Sequence, residues 1–382
     1  MYSLNFDETQ LEIQRVARQF AKDVVAQGVI ERDINAEYPI DILKQMGELG
    51  FLGMTTSSDW DGAEFDTLSF VLAMEEIAKV DATTAVVMSV QNSLVNWIFQ
   101  NFGTEEHKEK YLKKLATGEY IGCYCLSEPE AGSDAREQHT TAEKVGDKWV
   151  LNGTKNWITS APHSDVFIVF AQTNSELKHK GIACFAIPKG TPGLSVGIKE
   201  DKMGLRASDT CSVGLVNVEV GDDAVIGKVG EGFYIAMKGL TGGRIGIAAQ
   251  AVGIAQGAFE LAVKYSKERK TMGVPICQHQ AIEIKLAQMS MKISAARALV
   301  HKVAWMKDNG LDCNRESSEA KLFSSTIANE VTREAVQVHG GYGYVREYQV
   351  ERMMRDAKVT EIYEGTSEIQ HIVIARDVIK NG

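Results

Sequence analysis

The sequence predicts an α+β multidomain protein with an N-terminal α-helical domain, a central antiparallel β-barrel or sandwich domain, and a C-terminal four-helix bundle. Two changes in hydrophobic periodicity indicate this. Apolar residues recur at helical spacing from about residue 9 to 117, with a period of two from about 120 to 230, and at helical spacing again after Gly232. The predicted domains therefore span residues 1–120, 121–231 and 232–382, and no internal repeat is evident.

The N-terminal region is predicted to form amphipathic and buried helices. Ile13, Val16, Phe20 and Val24 fall on one face of the first helix. Pro39 opens the next, since its fixed φ suits a first helical turn and its missing N–H is not needed there. Further helices are predicted at 68–80 and, longer and largely buried, at 82–102. The polar run 103–106 ends that helix and caps the next.

The central region contains short runs rich in β-branched and aromatic residues. Strands are predicted at 149–151, 166–171, 182–187, 194–198 and 213–220, and turns at 146–147, 152–153, 188–190 and 192–193. The C-terminal region returns to a nearly heptad spacing. Helices are predicted at 247–265, 282–303, 318–338 and 367–379, the number required for an antiparallel bundle.

Composition limits the classes of function. With 382 residues, of which 44% are hydrophobic and 24% charged, the chain is typical of a soluble globular protein. The formal net charge of −10 argues against nucleic-acid binding, because 41 Lys+Arg against 51 Asp+Glu leave no basic surplus. The six cysteines match no zinc or redox spacing, so reduced thiols and no metal site are expected.

Neither a signal peptide nor a membrane span is expected. Residues 1–12 are polar, and no apolar stretch is expected to reach the roughly 18 residues that cross a bilayer. We therefore expect a cytoplasmic bacterial protein without membrane insertion, or a mitochondrial matrix protein if a transit peptide has been removed.

The run Tyr363-Glu364-Gly365-Thr366-Ser367-Glu368 is the strongest candidate for a catalytic site. A desolvated carboxylate at Glu364 would have a raised pKa, which suits a general base that abstracts a weakly acidic C–H proton. Gly365 permits close approach of a ligand, and Thr366 or Ser367 can cap a helix whose free N–H groups face an anion. By itself, the run is more typical of an ordinary acidic helix start.

Two clusters in the central region carry further candidates. The run 125–134 includes Ser127 and Ser133, and its backbone N–H groups either bind a phosphate or polar ring edge or form a plain loop. Trp157 and Thr159 are two residues apart in a predicted strand, so both side chains are expected on one face. They either stack on and hydrogen-bond to a flat heterocycle, or are a core tryptophan beside a surface threonine.

Near the C-terminus, the run 337–344 contains three glycines that allow a tight turn. His339 has no partner pattern, and we assign it a structural role. Arg244 and Arg269 lie at predicted helix ends, where they either bind phosphates or pair with carboxylates.

In combination and in this order, these motifs resemble the acyl-CoA dehydrogenase family over essentially the full chain. The runs 242–250 and 361–370 look most like its short-chain, butyryl-CoA branch. The resemblance implies the acyl-CoA dehydrogenase fold, which agrees with the three predicted domains. It also implies a homotetramer that binds FAD between domains and subunits.

The resemblance assigns roles to individual positions. Glu364 would be the catalytic base. Acyl-CoA contacts would come from Ser133, Arg244, Tyr363 and Gly365. FAD contacts would come from Leu126 and Ser127 at the pyrimidine edge, Ser133 at a phosphate, Trp157 and Thr159 at the ring, Thr366, and, across a subunit contact, Arg269, Met272, Gln280, Gln337 and Gly341.

The implied reaction is the dehydrogenation of a short-chain acyl-CoA to the trans-2-enoyl-CoA. Glu364 would take the α-proton, flavin N5 would take the β-hydride, and an electron-transferring flavoprotein would accept the electrons. Two alternatives stay open. The same scaffold can run as an enoyl-CoA reductase within an electron-transferring flavoprotein complex, or it can be a non-catalytic subunit that binds FAD or acyl-CoA.

Several positions depart from the family pattern. Thr241 stands where many relatives have Asp near the pantetheine, Met272 replaces a Phe, His279 replaces another aromatic residue, and Ser160 and Ala161 replace Asn-Gly. Arg136 either meets the CoA 3′-phosphate or faces solvent. Some relatives place the base immediately before the Arg244 position, but that residue is Gly243 here.

Overall fold

The computed structural model describes residues 5–381. The predicted N-terminal helices are confirmed, and Pro39 is the N-cap residue of its helix. The helices before the sheet are α1 (Glu8–Phe20), α2 (Val29–Asn35), α3 (Ile40–Glu48), α4 (Thr67–Ala78), α5 (Ala82–Val90), α6 (Trp97–Phe102), α7 (Glu105–His107) and α8 (Lys113–Ala116). Single π-helical segments continue α1, join α5 to α6, and join α7 to α8, so the long helix predicted at 82–102 is continuous.

The central sheet contains β1 (Gly122–Cys125), β2 (Thr141–Val145), β3 (Lys148–Thr159), β4 (Val166–Gln172), β5 (Ile182–Pro188), β6 (Leu194–Val196), β7 (Thr210–Val220) and β8 (Val225–Ile226). The strand order is β6-β7-β3-β2-β4-β5-β8, and β1 also pairs with β4. The sheet is mixed, because β1 and the end of β2 run parallel to β4 while the other pairs are antiparallel. The sequence analysis did not predict β1 or β2.

The predicted turn at Asn152 and Gly153 is wrong. Both residues lie inside β3, where the register against β7 shifts between Leu151 and Gly153. Asn152 Oδ1 accepts a hydrogen bond from Asn217 N at 2.7 Å, and Gly153 has a φ of 149°. A Cβ at Gly153 would lie 2.5 Å from Thr140 Oγ1. The Asn-Gly pair therefore forms a β-bulge against a neighbouring segment instead of reversing the chain.

Four long helices follow the sheet, as predicted: α9 (Gly232–Glu268), α10 (Gln280–Asp308), α11 (Asn314–His339) and, after the short α12 (Val350–Lys358), α13 (Ser367–Asn381). A small hairpin of β9 (Lys270–Thr271) and β10 (Val274–Pro275) separates α9 from α10. The predicted domain limits at 120/121 and 231/232 stay predictions; α8 ends at Ala116, β8 ends at Ile226, and α9 begins at Gly232.

Helix α9 is central to the packing. It contacts α4, α5, α10, α11 and α12, and residues from both helical regions share one apolar core. The expectation that no apolar stretch is long enough to cross a membrane was wrong for this helix, whose length and composition are sufficient. However, 78% of its apolar window is buried within the fold. Burial in the core therefore accounts for its hydrophobicity, and the predicted location stays a prediction.

A charged junction joins the three regions beside α12. Arg355 forms an ion pair with Asp33 of α2 at 2.6 Å and donates to the Met203 carbonyl at 3.0 Å. Asp356 accepts a hydrogen bond from Leu205 N at 2.7 Å, and burial raises the pKa of this carboxyl group to about 6. The loop 203–205 is thereby fixed to both helical regions.

Candidate active site

Glu364 lies in a tight turn immediately before α13. The φ values of Glu364 and Gly365 are 54° and 89°, so two successive residues adopt left-handed conformations. For a non-glycine residue this costs on the order of 1 kcal/mol, which surrounding contacts must offset. Thr366 caps α13 through a 3.4 Å hydrogen bond that its Oγ1 accepts from Ile369 N.

Two side chains hold the carbonyl groups of this turn. Lys321 Nζ, on α11, donates to the Gly365 oxygen at 2.7 Å. Gln370 Nε2 donates to the Glu364 and Gly365 oxygens at 3.1 and 2.9 Å. The backbone from which the Glu364 side chain projects is therefore fixed from two directions.

One oxygen of the Glu364 carboxylate is buried and makes no hydrogen bond with the described part of the chain. The residue as a whole is partly exposed, but Oε2 is covered and has no hydrogen-bond partner among residues 5–381. Burial raises the pKa of Glu364 to about 7, while the charges of Arg244 and Lys321 act to lower it. A carboxylate that titrates near neutral pH with a free lone pair is suited to general-base chemistry.

Gly243 of α9 faces this carboxylate. A Cβ at position 243 would lie 2.3 Å from Glu364 Oε2 and 2.8 Å from its Cδ. Positions 243 and 364 therefore converge on one point, and the absence of a side chain at 243 leaves room for the carboxylate of Glu364.

Arg244 and Tyr363 line the surroundings of the base. Arg244 is only 7% exposed, and its Nη1 donates to Asn314 Oδ1 at 2.9 Å and to Ser318 Oγ at 3.3 Å. Burial lowers the pKa of Arg244, and the Glu364 charge opposes this shift. The Tyr363 hydroxyl donates to Gln250 Oε1, and the Gln250 amide donates to the Ala82 carbonyl at 2.7 Å. This chain of hydrogen bonds ties the segment before the base to α9 and α5.

A cavity of about 490 Å³ lies between the sheet, α12 and the segment before Glu364. We call it the interdomain cavity; its lining includes Trp157, Thr159, Lys202, Met203, Arg355 and Tyr363. The predicted pair Trp157 and Thr159 thus lies in one wall with Tyr363. Trp157 is 59% exposed, an unusual fraction for so large an aromatic ring. Its φ is 62°, at a second irregularity in β3, which means that the simple strand alternation expected for this pair does not apply.

Leu126 and Ser127 are connected to the same part of β3. Asn156 N donates to the Ser127 carbonyl at 2.8 Å, and the fully buried Lys155 donates to the Leu126 carbonyl at 3.2 Å. Lys155 also pairs with Glu128 at 2.7 Å. Burial alone would raise the pKa of Glu128, but the Lys155 charge and hydrogen bonds from residues 139 and 140 hold it below its usual value. This buried pair fixes the loop at 126–128 relative to Trp157.

The remaining predicted residues lie elsewhere. Arg269 and Gly341 line a second cavity of about 650 Å³ with Tyr265, His339, Tyr342 and Tyr348. The lining of the second cavity shares no residue with that of the interdomain cavity. Met272, at the tip of the β9–β10 hairpin, is 94% exposed. Gln280, Gln337 and Ser133 are also exposed. One protein chain therefore does not bring all the predicted positions together.

Several of the positions that depart from the family pattern make local contacts. Thr241 Oγ1 donates to the Met237 carbonyl of its own helix at 3.3 Å, and His279 Nε2 lies 2.8 Å from Thr271 Oγ1. Ser160 accepts a 2.8 Å hydrogen bond from the hydroxyl of Tyr38 in the N-terminal region. Arg136 is exposed and lies 3.7 Å from Asp134. His339 packs on Tyr265 and bonds to the Ala335 carbonyl, as its structural assignment predicted.

Sequence reasoning missed several residues that surround the site, chiefly Lys321, Gln250, Lys202 and Arg355. Lys321 had a signal, because Ser318, Lys321 and Ser325 place polar groups at helical spacing on a bundle helix. Over residues 5–381, no group of three or more His, Cys, Asp or Glu side chains could hold a metal ion. All six cysteines are free thiols, as predicted.

Comparison with known proteins identifies relatives over the whole chain. Three family models match: the acyl-CoA dehydrogenase N-terminal domain at residues 7–119, the middle domain at 123–218, and the C-terminal domain at 230–379. A short-chain specific acyl-CoA dehydrogenase of Clostridium acetobutylicum is 45% identical over 376 residues, covering 98% of this chain and 99% of the relative. A 3-(aryl)acrylate reductase of Clostridium sporogenes is 44% identical, covering 98% and 100%.

Solved structures are equally similar. Butyryl-CoA dehydrogenase from Megasphaera elsdenii has a TM-score of 0.97 at 42% identity, covering 99% of this chain and 100% of that one. A chain from work on the electron transferring flavoprotein of Acidaminococcus fermentans and flavin-based electron bifurcation has a TM-score of 0.98 at 44% identity, with both chains fully covered. Glutaryl-CoA dehydrogenase from Mycobacterium smegmatis in complex with FADH2 has a TM-score of 0.94 at 31% identity, covering 98% and 96%.

Replacing Gly243 with alanine is expected to displace the Glu364 carboxylate, because the new Cβ would overlap Oε2. A displacement of about 1 Å at a reacting group lowers rates by on the order of 100-fold. On the same principle, we expect the rate of acyl-CoA oxidation to fall by about 10- to 100-fold.

Gly239→Ala is the matched control. It lies one turn earlier on α9, where a Cβ would lie 3.6 Å from Leu94 Cδ2, an ordinary contact. This variant should keep its activity. Equal rates for Gly243→Ala and Gly239→Ala would contradict the convergence of positions 243 and 364 on the reacting carboxylate.

Proposed function

We propose that this chain, which belongs to the acyl-CoA dehydrogenase family, oxidises a short-chain acyl-CoA to the trans-2-enoyl-CoA with Glu364 as the base. The observation that carries the proposal is the covered, partnerless Oε2 of Glu364, in a carboxyl group whose pKa is near neutrality. An α-proton beside a thioester is weakly acidic, so its removal requires such a base.

The protein is a flavin-dependent oxidoreductase, and its cofactor is FAD. The interdomain cavity fits the isoalloxazine ring, because the Trp157 face supplies an apolar wall and Thr159 supplies a hydroxyl group beside it. We propose that Leu126, Ser127, Trp157 and Thr159 hold the ring and that Thr366 contacts the cofactor in the same site. When bound, FAD supplies the acceptor for the hydride that leaves the β-carbon.

The chain's own groups perform the proton chemistry. Glu364 Oε2 takes the α-proton. No other group in the part of the chain that the structure describes donates a hydrogen bond to this oxygen. Among residues 5–381, the backbone N–H of Glu364 donates to no backbone carbonyl group, which leaves it available for the thioester oxygen. The approach of an acyl chain removes remaining water from the partly exposed side chain, which would raise the pKa of Glu364 further.

A preference for short acyl chains is supported by the named relatives and by one feature of the site. Tyr363, next to the base, is bridged through Gln250 to the Ala82 carbonyl at the start of α5. An acyl chain long enough to displace Tyr363 would break two hydrogen bonds, each worth about 1 kcal/mol. The bridge therefore favours a short acyl chain over a long one.

For the physiological electron acceptor we propose an electron-transferring flavoprotein, in keeping with the subject of the Acidaminococcus work. A second candidate function is reduction of an enoyl-CoA. It is favoured by the 3-(aryl)acrylate reductase, which is as similar as the dehydrogenases. The same base serves both directions, since Glu364 returns the α-proton when the reaction is reversed.

We also propose a homotetramer. Arg269 and Gly341 line a cavity separate from the one with Trp157 and Thr159, which supports an arrangement in which one FAD uses the two sets from two different chains. Apolar side chains on the bundle are also exposed, including Ile284, Met291, Ile372 and Ile379. Such surfaces are typical of subunit contacts. In this arrangement Met272, Gln280 and Gln337 would contact the cofactor of a neighbour.

Anaerobic titration of the FAD-loaded protein with acyl-CoAs of increasing length tests the reaction and the substrate. We expect flavin bleaching with butyryl-CoA and at least a several-fold lower rate with octanoyl-CoA. Glu364→Gln should lose more than about 1,000-fold in rate, because the amide keeps the shape but cannot accept the proton.

Each part of the proposal can fail separately. Faster bleaching by octanoyl-CoA would contradict the short-chain preference. An unchanged rate in Glu364→Gln would exclude Glu364 as the base. Absence of bleaching in the wild type, with bound FAD and tight acyl-CoA binding, would favour the non-catalytic subunit. Oxidation of reduced protein by an enoyl-CoA, without the reverse reaction, would favour the reductase.

Sedimentation velocity on the FAD-loaded protein tests the assembly. We expect the mass of four chains, and removal of Arg269 as Arg269→Ala should lower FAD affinity in every subunit. A monomer that binds FAD with unchanged affinity in Arg269→Ala would contradict the proposed sharing of the cofactor between chains.

A further inference from the structure

A polar stripe on α11 faces the backbone that leads to Glu364. Lys321 donates to the Gly365 oxygen at 2.7 Å, Ser325 to the Thr360 oxygen at 2.9 Å, and Asn329 to the Ala357 oxygen at 3.0 Å. One helical turn before Lys321, Ser318 contacts Arg244. The bundle helix therefore supports both the base-bearing segment and the arginine beside it.

Lys321 differs from the other members of this stripe because it introduces a buried charge. Its side chain is fully buried, and its nearest described partner is a neutral carbonyl oxygen. That oxygen also accepts a hydrogen bond from Gln370. A neutral side chain at 321 would thus leave no unsatisfied carbonyl group. Backbone support alone does not explain an ammonium group here, since burying a charge without a carboxylate partner lowers stability.

Glu364 and Lys321 are each influenced by several charged side chains. Glu364 is influenced by two cations, Arg244 from α9 and Lys321 from α11, and neither donates a hydrogen bond to Oε2. Tyr124 from the sheet and Tyr363 also interact electrostatically with Glu364, and burial raises the pKa of both hydroxyl groups, which therefore stay uncharged. The charged groups that influence Lys321 are Glu364, Glu361, Glu368 and Arg244.

We propose that Lys321 is a positioning residue for the reaction, acting on Glu364 from a distance as a fixed counter-charge that keeps the base ionised while leaving its lone pairs free. A hydrogen-bonded ion pair would stabilise the carboxylate more strongly, but it would occupy an oxygen that must accept the substrate proton. The hydrogen bond to Gly365 holds the ammonium group at one place relative to the base. This inference rests on the proposed role of Glu364.

The sign of the effect follows from the direction of the interaction. The positive charge favours ionised Glu364, so its removal raises the pKa of that carboxyl group. The fraction of ionised base at acidic pH then falls. Burial lowers the pKa of Lys321 to about 8, so most of the lysine is charged near pH 7, where Glu364 titrates.

The test compares Lys321→Met with wild type by measuring kcat/KM for butyryl-CoA against pH, because kcat/KM reports the pKa of the free enzyme. We expect the acidic limb of the kcat/KM profile to move to higher pH by about one unit. At pH values below the midpoint of the limb, kcat/KM is then about tenfold lower than in the wild type. Thermal unfolding of the same variant should show an unchanged or raised midpoint, because a buried charge has been removed.

Two companion variants separate charge from support. Lys321→Gln keeps a donor for the Gly365 carbonyl and loses the charge, so its acidic limb should move in the same way as that of Lys321→Met. Ser325→Ala loses a hydrogen bond to the same segment but no charge. It should lower the unfolding midpoint slightly and leave the limb in place.

An unmoved limb in both charge-removing variants overturns the inference. So does an equal shift in Ser325→Ala, or failure of both Lys321 variants to fold, since either result would make the lysine a purely structural residue. Failure of the proposed function is distinguishable. In that case the wild type would not oxidise butyryl-CoA, or Glu364→Gln would retain the activity, whatever the Lys321 variants show.

Discussion

The structure around the active site depends on one constraint on the carboxylate of Glu364. Its reacting oxygen must be covered and free of hydrogen bonds, and its pKa must lie near neutral pH. Left-handed φ values at Glu364 and Gly365 aim the side chain inward. The missing side chain at Gly243 gives it room. Lys321 and Gln370 hold the turn by its carbonyl oxygens and leave Oε2 free. The protein thus accepts a local cost in stability to keep a base in a reactive state.

The C-terminal helices and the sheet supply the side chains of this arrangement, and contacts with the N-terminal region hold them in place. Helix α9 supplies Gly243 and Arg244, and α11 supplies Lys321. The sheet supplies Trp157 and Thr159 from an irregular part of β3, which the Lys155–Glu128 pair fixes against the loop at Leu126. Arg355 and Asp356 join the loop 203–205 to both helical regions. The relative placement of base and cofactor cavity is therefore determined by interactions between the regions.

The local pattern of apolar residues was sufficient to predict the three-part architecture, because the change from helical to alternating periodicity can be read directly along the sequence. It was also sufficient for the helix start at Thr366. The role of Glu364 as the base came from the family resemblance and stays a prediction. The local pattern failed at Asn152 and Gly153. This pair lies in a β-bulge of β3, where Asn217 N of the neighbouring strand donates a hydrogen bond to the Asn152 side chain. The local pattern could not locate Lys321 beside Gly365 or Gln250 beside Tyr363, since those contacts join distant parts of the chain. The separation of Arg269 from Trp157 in two cavities was likewise outside the reach of the local pattern, and only the family resemblance implied it.

The central claim is that Glu364 is a buried carboxyl group that titrates near neutral pH. Infrared difference spectroscopy of the FAD-loaded wild type against Glu364→Gln, recorded as a function of pH, measures this directly through the carbonyl band of the protonated acid. The account predicts that this band disappears as the pH is raised, with a midpoint near pH 7. A midpoint near 4.5, the ordinary value for a glutamate side chain, would show that the carboxylate is not desolvated and would contradict the account.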